Sequence, residues 1–155
     1  MTIENKSELI LEIAGVKDAG DYLWLEKQVR GRTYSALAKE KEFLKEIRPA
    51  AVYFFKIKDK VIGHITYKAK EDGNVHLGGF AIVPEYQGRG LGRKAMELIL
   101  ALAKNAPKID LVAHPDNFKA ISLYESLGFK ITERRENYYG DGEPRVVLVK
   151  NRSIP

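Results

Sequence analysis

The chain has 155 residues, of which 45% are hydrophobic and 30% charged, and 26 basic against 21 acidic residues leave a net charge of +5. That length matches one domain of roughly 100–200 residues, residues 1–155, and no apolar run approaches the ~20 residues of a membrane-crossing helix. With no cysteine, disulfides, thiolate metal sites and a cysteine nucleophile are excluded.

Taken in order, Met1-Thr2-Ile3-Glu4-Asn5-Lys6 lacks the basic-then-apolar pattern of a secretion signal, so a cytoplasmic location is expected. Ser7 to Ala14, with Leu9, Ile10, Leu11 and Ile13, predicts a first strand. Asp18 is placed to cap a helix running to about Val29, with Tyr22, Leu25 and Val29 at helical spacing. Thr33 to Ile47 predicts a second helix carrying Leu37, Phe43, Leu44 and Ile47 on one face, ended by Arg48-Pro49. Its Lys39-Glu40-Lys41-Glu42 stretch reads as a solvated helix face.

The period then changes. Val52–Ile57 and Val61–Tyr67 are rich in β-branched and aromatic residues around Lys58-Asp59-Lys60, a hairpin signal. Glu71-Asp72-Gly73-Asn74 predicts a second turn and Val75–Val83 a third strand, in which Gly78-Gly79 marks a bulge or a close backbone approach. Gly90–Lys104 predicts a helix buried through Met96, Ile99, Leu100 and Ala103. A strand over Ile109–Ala113 follows, then a helix over Asn117–Ser126 stopped by Gly128, then strands over Phe129–Glu136 and Arg145–Lys150. The order β-α-α-β-β-β-α-β-α-β-β describes an α/β fold with one mixed, mostly antiparallel sheet flanked by helices.

Gln87-Gly88-Arg89-Gly90-Leu91-Gly92 lies between a strand and a long helix. Glycines there let the backbone turn tightly, and the helix start supplies free N–H groups and a positive dipole end, to which Arg89, Arg93 and Lys94 add charge. The chemistry is that of a pyrophosphate cradle. No Gly-x-x-x-x-Gly-Lys-Ser/Thr loop occurs. Gly90-x-Gly92-x-x-Ala95 fits the looser dinucleotide pattern, but it follows a meander and does not open a βαβ unit. A basic chain also suits nucleic acid, yet the helix after Gly92 is mostly apolar beyond Lys94, so no nucleic-acid partner is expected.

Ile82-Val83-Pro84-Glu85-Tyr86 running into Gln87-x-x-Gly90-x-Gly92, followed by Asn117-x-x-Ala120-x-x-Leu123-Tyr124-x-x-x-Gly128-Phe129, resembles the paired motifs of the GNAT superfamily of acetyl-CoA-dependent N-acetyltransferases. The element order is similar too, so the resemblance covers nearly the whole chain. It implies acetyl-CoA as co-substrate, no metal, an amine acceptor, and a monomer or homodimer. Through it, Phe80, Ala81 and Ile82 are expected to pair with the pantetheine arm, and Gly88, Arg89, Gly90, Leu91, Gly92 and Arg93 to hold the pyrophosphate, with Gln87 opening the motif. Asn117 matches the residue that contacts the cofactor from the second motif, and is equally a helix N-cap. Tyr124 matches the tyrosine whose hydroxyl reaches the thioester sulfur; as an ordinary residue it would be a half-buried helix tyrosine.

The acceptor must be neutral to attack. At pH 7 an α-amine of pKa about 7.7–8.0 is neutral roughly a tenth to a sixth of the time, and a lysine amine only about once in 2,500. Relatives place a carboxylate base on either of two strands. Here Gly78 and Gly79 occupy the first positions and Val112 the second, while His76 stands eleven residues before Gln87. His76 is therefore the candidate base, its alternative being a strand histidine without a chemical role. His64 and His114 have weaker claims. Arg134-Arg135-Glu136-Asn137-Tyr138-Tyr139-Gly140-Asp141-Gly142-Glu143 is similar to the tail of protein N-terminal acetyltransferases, including the ribosomal-protein type. The resemblance casts Tyr138 and Tyr139 as covering a substrate peptide, although Pro144-Arg145 replaces the usual Asp-Ala. A peptide α-amine, a small amine and a lysine side chain all remain open as acceptors, as does an acyl-CoA sensor without turnover.

Overall fold

The structure is a computed structural model and describes residues 8–34, 36–48 and 50–152. Met1–Ser7, Ser35 and Pro49, used in the readings above, lie outside the described residues. The elements are β1 (Leu9–Ile13), α1 (Ala19–Val29), α2 (Glu40–Glu46), β2 (Ala51–Ile57), β3 (Lys60–Ala69), β4 (Val75–Ile82), α3 (Leu91–Leu102), β5 (Lys108–Ala113), α4 (Phe118–Ser126), β6 (Lys130–Arg135) and β7 (Arg145–Asn151). Their seven strands form one mixed sheet in the order β1-β2-β3-β4-β5-β7-β6, with β4–β5 the parallel pair. Among the described residues no helix is long and apolar enough to cross a membrane.

The meander follows from its turns. Lys58 and Asp59 take positive φ (48° and 67°) between the paired residues Ile57 and Lys60, the two-residue hairpin whose twist matches that of the strands. On the far side, Asn74 N donates to Asp72 Oδ1 (2.9 Å), and Gly73 supplies φ +86°.

Two adjacent residues of β2 define the two faces, because side chains alternate along a strand. Phe54 pairs with His64, whose ring lies 4.6 Å from that of Tyr22 in α1. Phe55 meets Phe80, which in turn meets Tyr124 of α4. Helices α1 and α2 therefore cover one face and α3 and α4 the other. Arg93 of α3 donates to Ser126 Oγ of α4 (2.8 Å) and fixes those two helices to each other. Phe43, Phe54, Phe55, Ile65, Met96 and Ile99 are fully buried in the core between the layers. Truncating one of these phenylalanines costs about 3–5 kcal/mol in comparable cores.

Two local details differ from the sequence reading. The second helix is shorter than Thr33–Ile47: it spans Glu40–Glu46, and the chain before it carries an isolated bridge from Gly31 to Tyr34. The cause is tertiary, since the Leu37 amide donates to the buried Glu26 carboxylate (3.2 Å) instead of to a helical carbonyl. Asp18 does not cap α1 through its side chain; it accepts from the Gly15 amide (2.7 Å) and closes a short 3₁₀ turn. The bulge expected at Gly78-Gly79 is present: between the pairs Thr66–Gly78 and His64–Ala81 the strand β4 carries one residue more than β3, and Gly79 sits at φ +55°.

Candidate active site

Strands β4 and β5 pair only at Val75–Ile109, His76–Asp110 and Leu77–Leu111. Beyond Leu77 the bulge turns β4 away, while β5 runs on along β7 to Ala113–Val146. One backbone edge of Phe80, Ala81 and Ile82 thus faces a wedge between two strands. A cleft of about 510 Å³ opens there, bordered by Phe80, Val112, Ala113, His114, Asn117 and Tyr124, and on its other side by residues of α1, α2 and the loop joining them.

On the α3/α4 side lies the glycine loop. Gly88 and Gly90 both take φ +75°, Gly90 as the N-cap of α3. Among the described residues, no protein acceptor meets the amides of residues 88–93. Unpaired donors at the positive end of a twelve-residue helix are suited to an anion, and a side chain at Gly88 or Gly90 would project into open space. Gln87 serves the loop itself: its amide donates to Pro84 O (3.1 Å) and its side chain to Ile82 O (2.8 Å). Arg93 is turned toward Ser126 and Glu97, so it offers the cradle its backbone. The guanidinium of Arg89 lies over the Tyr86 ring, 5.1 Å from its centre.

Tyr124 is buried between Phe80 and Phe129. Burial raises its hydroxyl above the ordinary phenol pKa, so the group is neutral and a proton donor at physiological pH. Asn117 caps α4, accepting from the Ala120 amide (3.3 Å), while still bordering the cleft.

On the α1/α2 face, His76 lies beside its strand partner Asp110, whose carboxylate bonds Nδ1 and leaves Nε2 for another partner. Lys70 Nζ stands 3.7 Å from the second oxygen of Asp110. His114 is buried, and its Nδ1 accepts from the Asp116 amide (3.0 Å). His64 is also fully buried, with Nε2 at 3.3 Å from Glu26 Oε2; neither ring nitrogen makes a hydrogen bond.

Sequence reasoning missed several residues around the cleft. Glu26 is 1% exposed; its Oε1 accepts from Tyr22 (3.2 Å) and from the Leu37 amide. Its signal was available, a carboxylate four residues after Tyr22 on the apolar face of α1. Tyr34 donates to Gly79 O (3.0 Å) and reaches over the bulge. Glu46 borders the cleft from α2, and its carboxyl is raised above the usual range by burial first and by the Glu26 charge second. Arg32 joins Asp116 (2.9 Å) to Glu143 (3.1 Å), bridging the α1–α2 loop, the β5–α4 loop and the β6–β7 hairpin. In the hairpin, Tyr139 borders the cleft and Tyr138 packs against it edge-on from behind. Arg145, buried beneath Tyr139, holds Asp141 (2.9 Å).

The profile of the Acetyltransferase (GNAT) family matches residues 18–129. The chain belongs to the GNAT acetyltransferase family. The [Ribosomal protein bS18]-alanine N-acetyltransferase of Escherichia coli is 45% identical over 77 residues, which are 47% of this chain and 52% of that protein. N-alpha-acetyltransferase 30 of Schizosaccharomyces pombe is 37% identical over 101 residues, 60% of this GNAT chain and 67% of the relative. The chain thus spans between about half and two thirds of the length of these curated relatives. Among solved structures, the ribosomal-protein-S18-alanine N-acetyltransferase from Escherichia coli superposes with a TM-score of 0.81 at 23% identity over 96% of both chains. Arabidopsis thaliana Naa50, in complex with the bisubstrate analogue CoA-Ac-MVNAL, does so with a TM-score of 0.76 at 22% identity, covering 93% of this chain and 99% of that one. The fold is shared with these solved structures.

Proposed function

We propose that this GNAT protein is an N-acetyltransferase that uses acetyl-CoA and acts on a primary amine, a peptide or protein α-amine being the acceptor. The observation that carries the reading is the wedge between β4 and β5, which has unpaired loop amides on one face of the sheet and a histidine–carboxylate pair on the other. Bound acetyl-CoA supplies an activated thioester. The amides of residues 88–93 hold its pyrophosphate, and the open edge of Phe80, Ala81 and Ile82 pairs with its pantetheine amides. Gln87 holds the cradle's shape, and Asn117 holds the start of α4 against the wedge.

His76 accepts a proton from the acceptor ammonium at Nε2, with Asp110 fixing the ring through Nδ1. Tyr124, with its raised pKa, keeps its proton and stabilises the leaving sulfur as a hydrogen-bond donor. Tyr139, propped by Arg145 and backed by Tyr138, covers the acceptor from the hairpin. The α-amine preference is supported by chemistry, because such an amine is already partly neutral at pH 7 and needs only an imidazole base. It is also supported by the relatives named for N-terminal substrates.

The test is thiol release from acetyl-CoA against peptides with free N-termini, N-blocked lysine peptides, polyamines and arylalkylamines. Release is expected to be fastest with the free N-termini. Faster release with another class would reassign the acceptor, and acetyl-CoA binding without release from any amine would identify a sensor.

A further inference from the structure

The α1/α2 side of the cleft carries an electrostatic imbalance that the proposed chemistry does not use. Glu46 of α2 borders the cleft, and among the described residues no cation lies within salt-bridge distance of it. Behind it is Glu26 of α1, whose Oε2 is buried and makes no hydrogen bond. The groups facing Glu46 come from every neighbouring element: Glu26 and Tyr22 from α1, His64 and Thr66 from β3, His76 from β4, and Tyr139 from the hairpin. Lys45 and Lys68 also border the cleft, but both are exposed. Among the described residues, fully buried His64 is the one group within salt-bridge distance of Glu26, and no salt bridge includes Glu46.

A half-buried carboxylate outside any salt bridge, pushed toward neutrality by burial and then by a second carboxylate, is a position that gains from a bound cation. The place fits an acceptor. Thr66, beside the Glu46 carboxyl, pairs with Gly78 one residue past the last β4–β5 pair, and Gly78 stands two residues after His76 on the same strand face.

We propose that Glu46, backed by Glu26, is the subsite that binds the acceptor as its ammonium ion and presents it to His76, so that this enzyme selects aliphatic primary amines, which arrive charged, over arylamines, which arrive neutral. The inference rests on the N-acetyltransferase reading. Glu46 is a binding residue here, and the proton goes to His76.

The probe is tetramethylammonium, a cation of similar charge that cannot be acetylated. In the wild type it competes with the acceptor; in Glu46→Gln that competition is lost and the acceptor KM rises ten- to a hundredfold, about the worth of one hydrogen bond to a charged group. The Glu46→Gln substitution leaves kcat within a few-fold and acetyl-CoA affinity unchanged, the latter also reporting an intact fold. Glu46→Asp, which keeps the charge, recovers much of the acceptor affinity. Benzylamine is acetylated in preference to aniline by the wild type, and the preference shrinks in Glu46→Gln. An unchanged KM and unchanged competition in Glu46→Gln, or equal use of aniline and benzylamine by the wild type, overturns the subsite. If no amine is acetylated, the enzymatic reading fails separately. Calorimetry of benzylammonium then decides the subsite alone: binding that Glu46→Gln abolishes supports it, and no binding overturns it.

Discussion

Leu77 of β4 and Leu111 of β5 form the last pair between the two parallel strands, and the wedge between them starts at the next residue. What sets the angle of β4 beyond that point is its contact with β3. A Cβ at Gly63 would stand 2.4 Å from the Ala81 carbonyl oxygen and 3.3 Å from the Ile82 Cα, both of them backbone atoms that cannot turn away. Gly63→Ala is therefore expected to push β4 out, destabilising the protein by about 1–3 kcal/mol and weakening acetyl-CoA binding. Chemical denaturation and calorimetry measure the two effects, and an alanine variant with wild-type values for both would show that β4 is free to shift.

Gly90 is bound by a different constraint. An added Cβ meets nothing there, but its φ of +75° is one that a β-branched residue rarely adopts. Gly90→Val either twists the first turn of α3 or fills the space in front of its amides. Loss of acetyl-CoA affinity by roughly tenfold or more, with the fold intact by circular dichroism, is the expected outcome of a titration, since at least one hydrogen bond to a charged group goes.

The glycine loop, the order of elements along the chain and the bulge were legible because each depends on local chemistry: positive φ, alternation and a turn. Lys58-Asp59 and Gly78-Gly79 are examples. The residues around the acceptor end were not legible, because their roles arise from distant elements. Glu46 lies four residues beyond Lys39-Glu40-Lys41-Glu42, the stretch that reads as a solvated helix face, and it borders a cleft only through the placement of α2 in the fold. Arg32 contacts residues 84 and 111 positions further along the chain. The predicted helix over Thr33–Ile47 failed for the same reason, since Glu26, eleven residues upstream, takes the Leu37 amide.

Tyr124 has a neutral hydroxyl whose pKa is lifted by burial. Tyr124→Phe removes the hydroxyl proposed to bond the developing thiolate and keeps the ring that packs on Phe80 and Phe129. Turnover is expected to fall by roughly ten- to a hundredfold, the worth of a hydrogen bond to a charged group, with acetyl-CoA affinity unchanged. Unchanged turnover would remove the hydroxyl from the reaction.

His76 and Asp110 act as a pair, so they are separated by their pH profiles. A general base works only in its unprotonated form, so a reaction that depends on one slows at low pH. The wild-type rate should fall on the acid side. His76→Ala should flatten that limb and lower the neutral rate by about 10²–10⁴-fold, as for loss of a general base. Asp110→Asn keeps the ring but changes its partner, so the limb should move and not vanish.

Glu46 leaves a signature in stability. Its folded pKa is raised, chiefly by burial and then by Glu26, so between the unfolded value of about 4.3 and the raised folded value the native state holds more protons than the unfolded state. Stability therefore falls as pH rises through that window, and the penalty is complete above it. Glu46→Gln carries no such penalty. The variant should melt at a higher temperature than the wild type at neutral pH, and the gap should close below about pH 4, where both side chains are neutral. A gain in stability together with a loss of acceptor affinity is what a residue held in place for binding would show. A Glu46→Gln protein that melts lower at neutral pH would mean that the carboxylate is stabilised by its surroundings, and that the cleft has no deficit of positive charge for an acceptor to fill.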